Sequence, residues 1–363
     1  MRPLPKSPSE ITKTWLTAVL QNSDILPPSV EVIDIGRTPI GERGGMVSEI
    51  EFLSITYSDS TKDAPQSLVV KFPTTNEINR QIAEDFGVYH REVRSYLEIV
   101  PRSPSSSPKV YLADIEDKSN FVIILEDLSQ YRLGDQVIGA TIEETALGID
   151  ELAKLHGSFW GQVQNRNYDW LPRFSNSQNA LNMVEGAKAS WDPTVEKFDQ
   201  YLPSKFLKVK DRFFSALPIL QGRLDSGPIT VIHGDFRLDN LFFGQRPEQH
   251  PIVFVDWGVP LRGRGMVDVA YLMSQSTQTK VRRTHEHDLI ARYVAKINDQ
   301  GISGYSIEEA WEDYRHAVLY LWAFASMVAG SMDAGNERSA AWITEMVKRN
   351  IAAIDDLNCI DLL

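Results

Sequence analysis

The spacing of apolar and polar positions splits the chain into a strand-patterned part followed by a helix-patterned part. Val30–Ile35, Met46–Tyr57, Ser67–Phe72, Lys109–Asp114 and Phe121–Leu125 are β-branched or aromatic runs bounded by turn residues, which predicts five strands. Ser58–Gln66 (SDSTKDAPQ) reads as a hairpin loop. One helical stretch, about Glu77 to Ile99, lies between the third and fourth strands and ends at Pro101, where the loop PRSPSSSP follows. From residue 129 the period becomes helical. Thr141-x-x-Glu144 has capping-box spacing and opens a helix predicted to reach Gln162, with Leu147, Leu152, Leu155 and Phe159 at helical intervals. Ser306-x-x-Glu309 opens another, which leads into the uncharged apolar run Ala317–Met332. Two short strands, Ile229–Ile232 and Ile252–Val255, are embedded among the helices, and no internal repeat is visible. The pattern predicts an α+β chain: a small, mostly antiparallel β lobe over residues 1–128 and a larger, mostly α lobe over 129–363.

Length agrees with two packed units, since 363 residues exceed the usual size of one domain. Hydrophobic residues make up 42% and charged residues 24%, which excludes a disordered or fibrous chain. The formal charge of -12 argues against a nucleic-acid or anionic-membrane partner, because both need clustered Lys and Arg. The single cysteine, Cys359, excludes an internal disulfide framework and a Cys-based zinc site. MRPLPKSPSE has no apolar signal region, and Ala317–Met332 is shorter than the run of about 20 residues that spans a bilayer. These features predict a soluble, cytoplasmic protein.

The strongest chemical signal is Val231–Phe243, VIHGDFRLDNLFF. A strand runs into His233-Gly234-Asp235, and Asn240 follows five residues after Asp235. A second strand, IVFV, ends in Asp256-Trp257-Gly258. Asp and Gly are turn residues, and DWG alone would read as a turn. The ordered pair, with Asn240 at its offset and an apolar strand leading into each, instead points to phosphoryl transfer. Mg²⁺ takes hard oxygen ligands such as a carboxylate and a carboxamide, and a separate carboxylate can orient an acceptor hydroxyl and accept its proton.

This arrangement resembles the aminoglycoside phosphotransferase and choline kinase-like superfamily, which has the bilobal protein-kinase-like fold. HGDFRLDNLFF is most similar to the branch containing the acyl-CoA-dehydrogenase-associated hydroxyacyl kinases and the ecdysteroid kinase-like proteins. The resemblance runs from about residue 35 to 275. It implies that Asp235 is the catalytic base and that Asn240 and Asp256 are metal ligands. ATP and Mg²⁺ are the implied cofactors, and a small-molecule hydroxyl is the implied acceptor. The oligomeric state is not implied.

The amino-terminal lobe is then expected to supply nucleotide contacts. Lys71, in LVVKF, stands where a lysine contacting the α/β-phosphates is expected. Its partner is Glu92, in YHREVRSY, with Glu84 as the competing choice. Gly41, Gly44 and Gly45 lie between the first two strands, where glycines would let backbone N–H groups approach phosphates, although a plain hairpin turn fits them as well. Glu126 and Leu128, in LEDL, occupy the place of an adenine-contacting hinge that would act through its backbone.

Arg237 could reach the transferred phosphate or pair with Asp239 or Asp268. Asp268, in GRGMVDVAY, matches an aspartate that steadies the catalytic loop, and His156 reads as a packed helix histidine. His285 and His287 read as a solvated face. GxxxxGK[ST], HExxH and GxSxG are absent. Only nine residues separate Gly258 from Asp268 and no APE motif appears, which leaves no room for the peptide platform of a protein kinase. Trp170, Trp191, Phe198, Tyr201 and Phe206 are candidate walls of the acceptor site, and Glu309, Glu312 and Asp313 are candidate acidic contacts for a cationic acceptor. The rival functions are a nucleotide-binding pseudokinase and a protein kinase.

Overall fold

A computed structural model describes residues 3–40, 47–59, 64–331 and 337–363. Gly41, Gly44 and Gly45 lie outside the described residues. The chain packs as two units. The first gathers Met1–Arg102, Ser107–Tyr131 and Val255–Val259, and the second gathers Ser103–Ser106, Arg132–Phe254 and Pro260–Leu363. The division is therefore not a single cut at Leu128. The Asp256 segment packs with the strand-rich unit although it is distant in sequence.

The first unit is built on five antiparallel strands: β1 (Val32–Pro39), β2 (Ser48–Tyr57), β3 (Ser67–Pro73), β4 (Val110–Ile115) and β5 (Phe121–Glu126), in the order β1-β2-β3-β5-β4. Their period of two is what the sequence encodes. Leu68, Val70 and Phe72 of β3 enter one apolar core with Leu53, Ile55, Val122 and Ile124. The intervening Lys71, in register with Ile50 of β2 and Ile123 of β5, takes the opposite side of β3.

Helix α1 (Lys13–Asn22) closes the same core with Trp15, Leu16 and Leu20. Reading residues 1–128 mainly as strands passed over it. Thr12 caps the Trp15 N–H and Thr17 Oγ1 accepts the Val32 N–H at 2.9 Å, which ties the helix to β1.

The single helix predicted over Glu77–Ile99 is divided into α2 (Glu77–Asp85) and α3 (Val88–Arg94), which passes into a π-turn over Ser95–Ile99. Gly87 has φ +64°, the left-handed conformation in which a helix ends, and its N–H donates to the Glu84 carbonyl.

In the second unit, α4 (Ile142–Phe159) opens with the full Thr141–Glu144 capping box. It is followed by α5 (Gln178–Phe198), α6 (Ser204–Leu207), α7 (Lys210–Leu224), α8 (Met266–Tyr271), α9 (Thr279–Asn298), α10 (Ile307–Ser331) and α11 (Glu337–Asp356). Short strands β6 (Arg132–Leu133), β8 (Leu241–Phe243) and β9 (Ile252–Phe254) form one small sheet, and β7 (Thr230–Ile232) pairs with β10 (Leu261–Gly263). The described part of the apolar run, 317–331, lies inside α10, which packs against α5, α8 and α11. Among the described residues, no helix is long and apolar enough to cross a membrane.

Candidate active site

In the first unit, the physics of one buried cation organises the site. Lys71 is 6% exposed, and an isolated ammonium cannot remain charged at that depth. Its Nζ meets Glu92 Oε1 at 2.6 Å and Asp256 Oδ1 at 3.1 Å. Glu84, on the other side of the Gly87 break, pairs instead with Arg80 at 3.6 Å. Burial alone would pull the Lys71 pKa down, but the Asp256 and Glu92 carboxylates outweigh it, and the amine is held protonated above its ordinary range. Burial pushes Glu92 up to about 7 against the opposing pull of Lys71. Glu92 Oε2 is buried with no hydrogen-bond donor, which is consistent with that direction.

Asp256 is the second residue past the β9 strand end and has φ +69°. That left-handed backbone is tolerated by Asp more readily than by most side chains, and residues held so are concentrated at functional sites. A Cβ on Gly258 would come within 2.9 Å of Val88 Cγ1, so glycine admits the close passage of α3 past the DWG turn. At the end of β5, the Glu126 N–H donates to the Lys109 carbonyl and the Leu128 carbonyl accepts the Tyr131 N–H.

In the second unit, β7 delivers the His233-Gly234-Asp235 turn. Gly234 has φ +85°, a conformation that favours glycine. Asp268, 1% exposed on α8, fixes this turn: its Oδ2 accepts the His233 N–H at 2.7 Å and its Oδ1 accepts the Gly234 N–H at 3.0 Å. His156 of α4, fully buried, lies with Nε2 3.2 Å from Asp268 Oδ2 and Nδ1 2.8 Å from the Tyr293 hydroxyl. His156 is thus a packed helix histidine that braces the loop through Asp268.

Three donors converge on the Asp235 side chain. Asn240 Nδ2 donates to Oδ2 at 2.9 Å and to the Asp235 carbonyl at 2.9 Å. Arg237 Nε donates to Oδ2 at 3.3 Å, and the Tyr271 hydroxyl donates to Oδ1 at 3.0 Å. Arg237 also meets Asp239 at 3.3 Å and lies over the Trp342 ring at 5.0 Å. Arg338 shares Asp239 with Arg237, reaching it at 2.9 Å, and also meets Asp135 at 3.2 Å. Sequence reasoning missed Tyr271, Arg338 and Trp342. Tyr271 was within reach, because it stands three residues after Asp268 and so shares a helix face with it. The contacts of Arg338 and Trp342 depend on how α11 packs and had no local signal.

Other candidates have structural uses. Trp191, 3% exposed, packs with Phe206, Phe213 and Trp322 at centroid distances of 5.6, 5.8 and 6.3 Å, and Phe198 is also buried. The Trp191, Phe206, Phe213 and Trp322 rings pack on one another in the core of the helical unit. The acidic candidates are neutralised as well: Asp313 meets Arg264 at 2.8 Å and Arg223 at 3.4 Å, Glu309 pairs with Arg264, and Glu312 pairs with Arg315 at 3.1 Å. Burial raises Asp313 above the ordinary carboxylate range although both arginines oppose it. His287 stacks on Trp311 at 3.8 Å, and no group of three or more His, Cys, Asp or Glu is poised for a metal among the described residues.

No curated protein matches the chain. Among solved structures, choline kinase from Cryptosporidium parvum aligns over 95% of this chain and 97% of its own, at 11% identity and a TM-score of 0.54. Aminoglycoside 2'-phosphotransferase-IIIa in its GDP complex aligns over 94% and 99%, at 12% identity and a TM-score of 0.53. The GDP and kanamycin complex of APH(2")-IIIa aligns over 94% and 97%, at 13% identity and a TM-score of 0.51. At these identities the likeness is one of fold, and it establishes the α+β, protein-kinase-like architecture expected from the sequence. Residues 44–301, well over half of the chain, match the ecdysteroid kinase-like family, and the chain belongs to that family.

Proposed function

We propose that the protein is an ATP- and Mg²⁺-dependent phosphotransferase that moves the γ-phosphate to a hydroxyl of a small molecule. The observation that carries this reading is the Lys71 ammonium held between Glu92 and Asp256, three residues drawn from separate parts of the sequence. A lysine kept charged and pointed by two carboxylates is suited to binding phosphate oxygens as a point charge. The residues also fit Mg²⁺. Asp256 offers a carboxylate that is 39% exposed. Asn240 commits its amide nitrogen to Asp235, which leaves its carbonyl oxygen as a hard ligand. Mg²⁺ commonly takes one or two protein oxygens and completes its shell with phosphates and water, so a larger acidic cluster is not required. When bound, the ion supplies charge neutralisation to the phosphates.

In this reading, Asp235 accepts the proton of the acceptor hydroxyl as that oxygen bonds to the γ-phosphorus. The bond from phosphorus to the β,γ-bridging oxygen breaks, and ADP and a phosphate monoester result. Arg237 adds positive charge beside the base. The backbone near Glu126 and Leu128 receives the adenine, through groups other than the Glu126 N–H, which is already committed to Lys109. A small acceptor is favoured because β10 begins at Leu261 and α8 at Met266, which leaves too little chain after Gly258 for a peptide platform.

The test is a phosphate-transfer screen over alcohols, aminoglycosides, choline, steroids and hydroxyacyl-CoA esters, run with thermal melting in Mg²⁺ and ATP. Binding should raise the melting temperature by mass action. No shift at millimolar nucleotide would overturn the reading, and a shift without transfer to any acceptor would favour the pseudokinase.

A further inference from the structure

The two oxygens of Asp235 are occupied unequally. Oδ2 accepts from Asn240 Nδ2 and from Arg237 Nε, which fills the two acceptor sites a carboxylate oxygen offers. Among the described residues, Oδ1 accepts only from the Tyr271 hydroxyl and keeps one site. The side chain is 20% exposed, so that site remains reachable. We propose that Tyr271 is the positioning residue that turns the free acceptor site of Asp235 Oδ1 toward the hydroxyl to be phosphorylated, an inference that rests on the phosphotransfer reading above.

Tyr271 is well placed for this. It is 3% exposed at the end of α8, its ring lies 5.7 Å from that of Phe324, and burial raises its phenol far above the ordinary range. The hydroxyl therefore keeps its proton and acts toward Asp235 as a donor. It is also one helical turn beyond Asp268. One short buried helix thus fixes the backbone before Asp235 through Asp268 and the side chain of Asp235 through Tyr271. Without the hydroxyl, Asn240 and Arg237 still hold Oδ2, but the carboxylate plane can turn about its Cβ–Cγ bond.

The experiment compares wild type with Tyr271→Phe by kinetics and by nuclear magnetic resonance of tyrosine labelled with ¹³C at Cζ. Expected is a kcat lowered about ten- to a hundredfold, the range that corresponds to one hydrogen bond to a charged group. KM values for nucleotide and acceptor should stay within about twofold. A general structural defect would instead move KM or the melting temperature together with kcat. A Tyr271→Phe kcat within about twofold of wild type would overturn the inference.

The resonance arm needs no activity. The Tyr271 Cζ signal, assigned by its loss in Tyr271→Phe, should move in Asp235→Ala, and an unmoved signal would overturn the contact itself. If wild type transfers phosphate to no acceptor, the phosphotransfer reading fails while the resonance arm still decides whether Tyr271 holds Asp235.

Discussion

Replacing Asp268 by Asn is the most direct test of how the Asp235 turn is held. The carboxylate accepts three hydrogen bonds in a buried setting: the His233 N–H, the Gly234 N–H and His156 Nε2. An asparagine of the same shape can present its oxygen to only one side. The best orientation keeps His233 and His156 and turns the NH₂ group against the Gly234 N–H, donor to donor. One bond to a charged acceptor, worth about 1.5–3 kcal/mol, is then lost, and the two that remain weaken to neutral bonds of about 0.5–1.5 kcal/mol. Relief from burying a charge offsets part of this, leaving a net cost of about 3 kcal/mol. At about 2–4 °C per kcal/mol for a unit of 150–250 residues, the melting transition should fall by about 6–12 °C. The turn that carries Asp235 should loosen and kcat should drop at least about a hundredfold. Mg²⁺ with ATP should still stabilise the variant, because Lys71, Glu92 and Asp256 belong to the other packed unit. Calorimetry with steady-state kinetics reads both effects. An Asp268→Asn protein that melts within about 2 °C of wild type and keeps its kcat would refute the assignment of Asp268 as the anchor of the turn.

Further outcomes follow from the same contacts. Lys71→Met should weaken ATP binding about tenfold or more by titration calorimetry, and unchanged affinity would count against Lys71 as the phosphate contact. Asp235→Ala should abolish transfer while ATP-dependent stabilisation persists, whereas Asp256→Ala should lose both; equal losses of nucleotide affinity would contradict the division of roles. For Glu92, burial raises the folded pKa from 4.5 to about 7, so the native state binds a proton that the unfolded chain has released. The stability of wild type relative to Glu92→Gln should therefore fall as pH rises from about 4.5 to about 7 and level off above, and parallel urea-denaturation curves across that range would refute it. Burial pushes the Cys359 thiol up to about 12, so a thiol-specific disulfide reagent at pH 8 should react only as the chain unfolds, and rapid labelling of native protein would contradict its burial.

The strands were legible because their period of two survives in the final structure. Leu68, Val70 and Phe72 face the core and Lys71 does not, which the sequence states directly. Strand ends moved by one to four residues, since pairing rather than composition decides where a ladder stops. Helix α1 carried its own signals, Thr12 as a cap and Leu16 and Leu20 one turn apart, and was masked by the surrounding strand pattern. The aromatic residues of α5 and α6 were misread for a different reason. A ring that lines a site and a ring that fills a core look identical in sequence, and only the facing of α5 against α10 shows that Trp191 belongs to the core.

For the site, the residue types were legible and their partners were only half so. A buried ammonium must be neutralised, and this requirement could be read at Lys71 itself. Which carboxylates answer it is a matter of tertiary structure, since they stand 21 and 185 residues away. Glu84 and Glu92 would lie about 80° apart on an unbroken helix, too close in phase for the sequence to separate them. The left-handed Gly87 between them resets the phase and leaves Glu84 with Arg80. The same geometry bears on how the proposed nucleotide site fits a net charge of -12. Around Lys71 there are two carboxyl groups for one ammonium, so the cluster offers no net positive charge while Asp256 stays on the lysine. Under the proposed function, a triphosphate would take the ammonium if Asp256 turned to another cation, and Asp256 would then help hold a divalent ion that supplies charge neutralisation to the phosphates. The acidic balance of the chain is therefore no obstacle to nucleotide binding, because the pairing of a few buried charges sets the local potential.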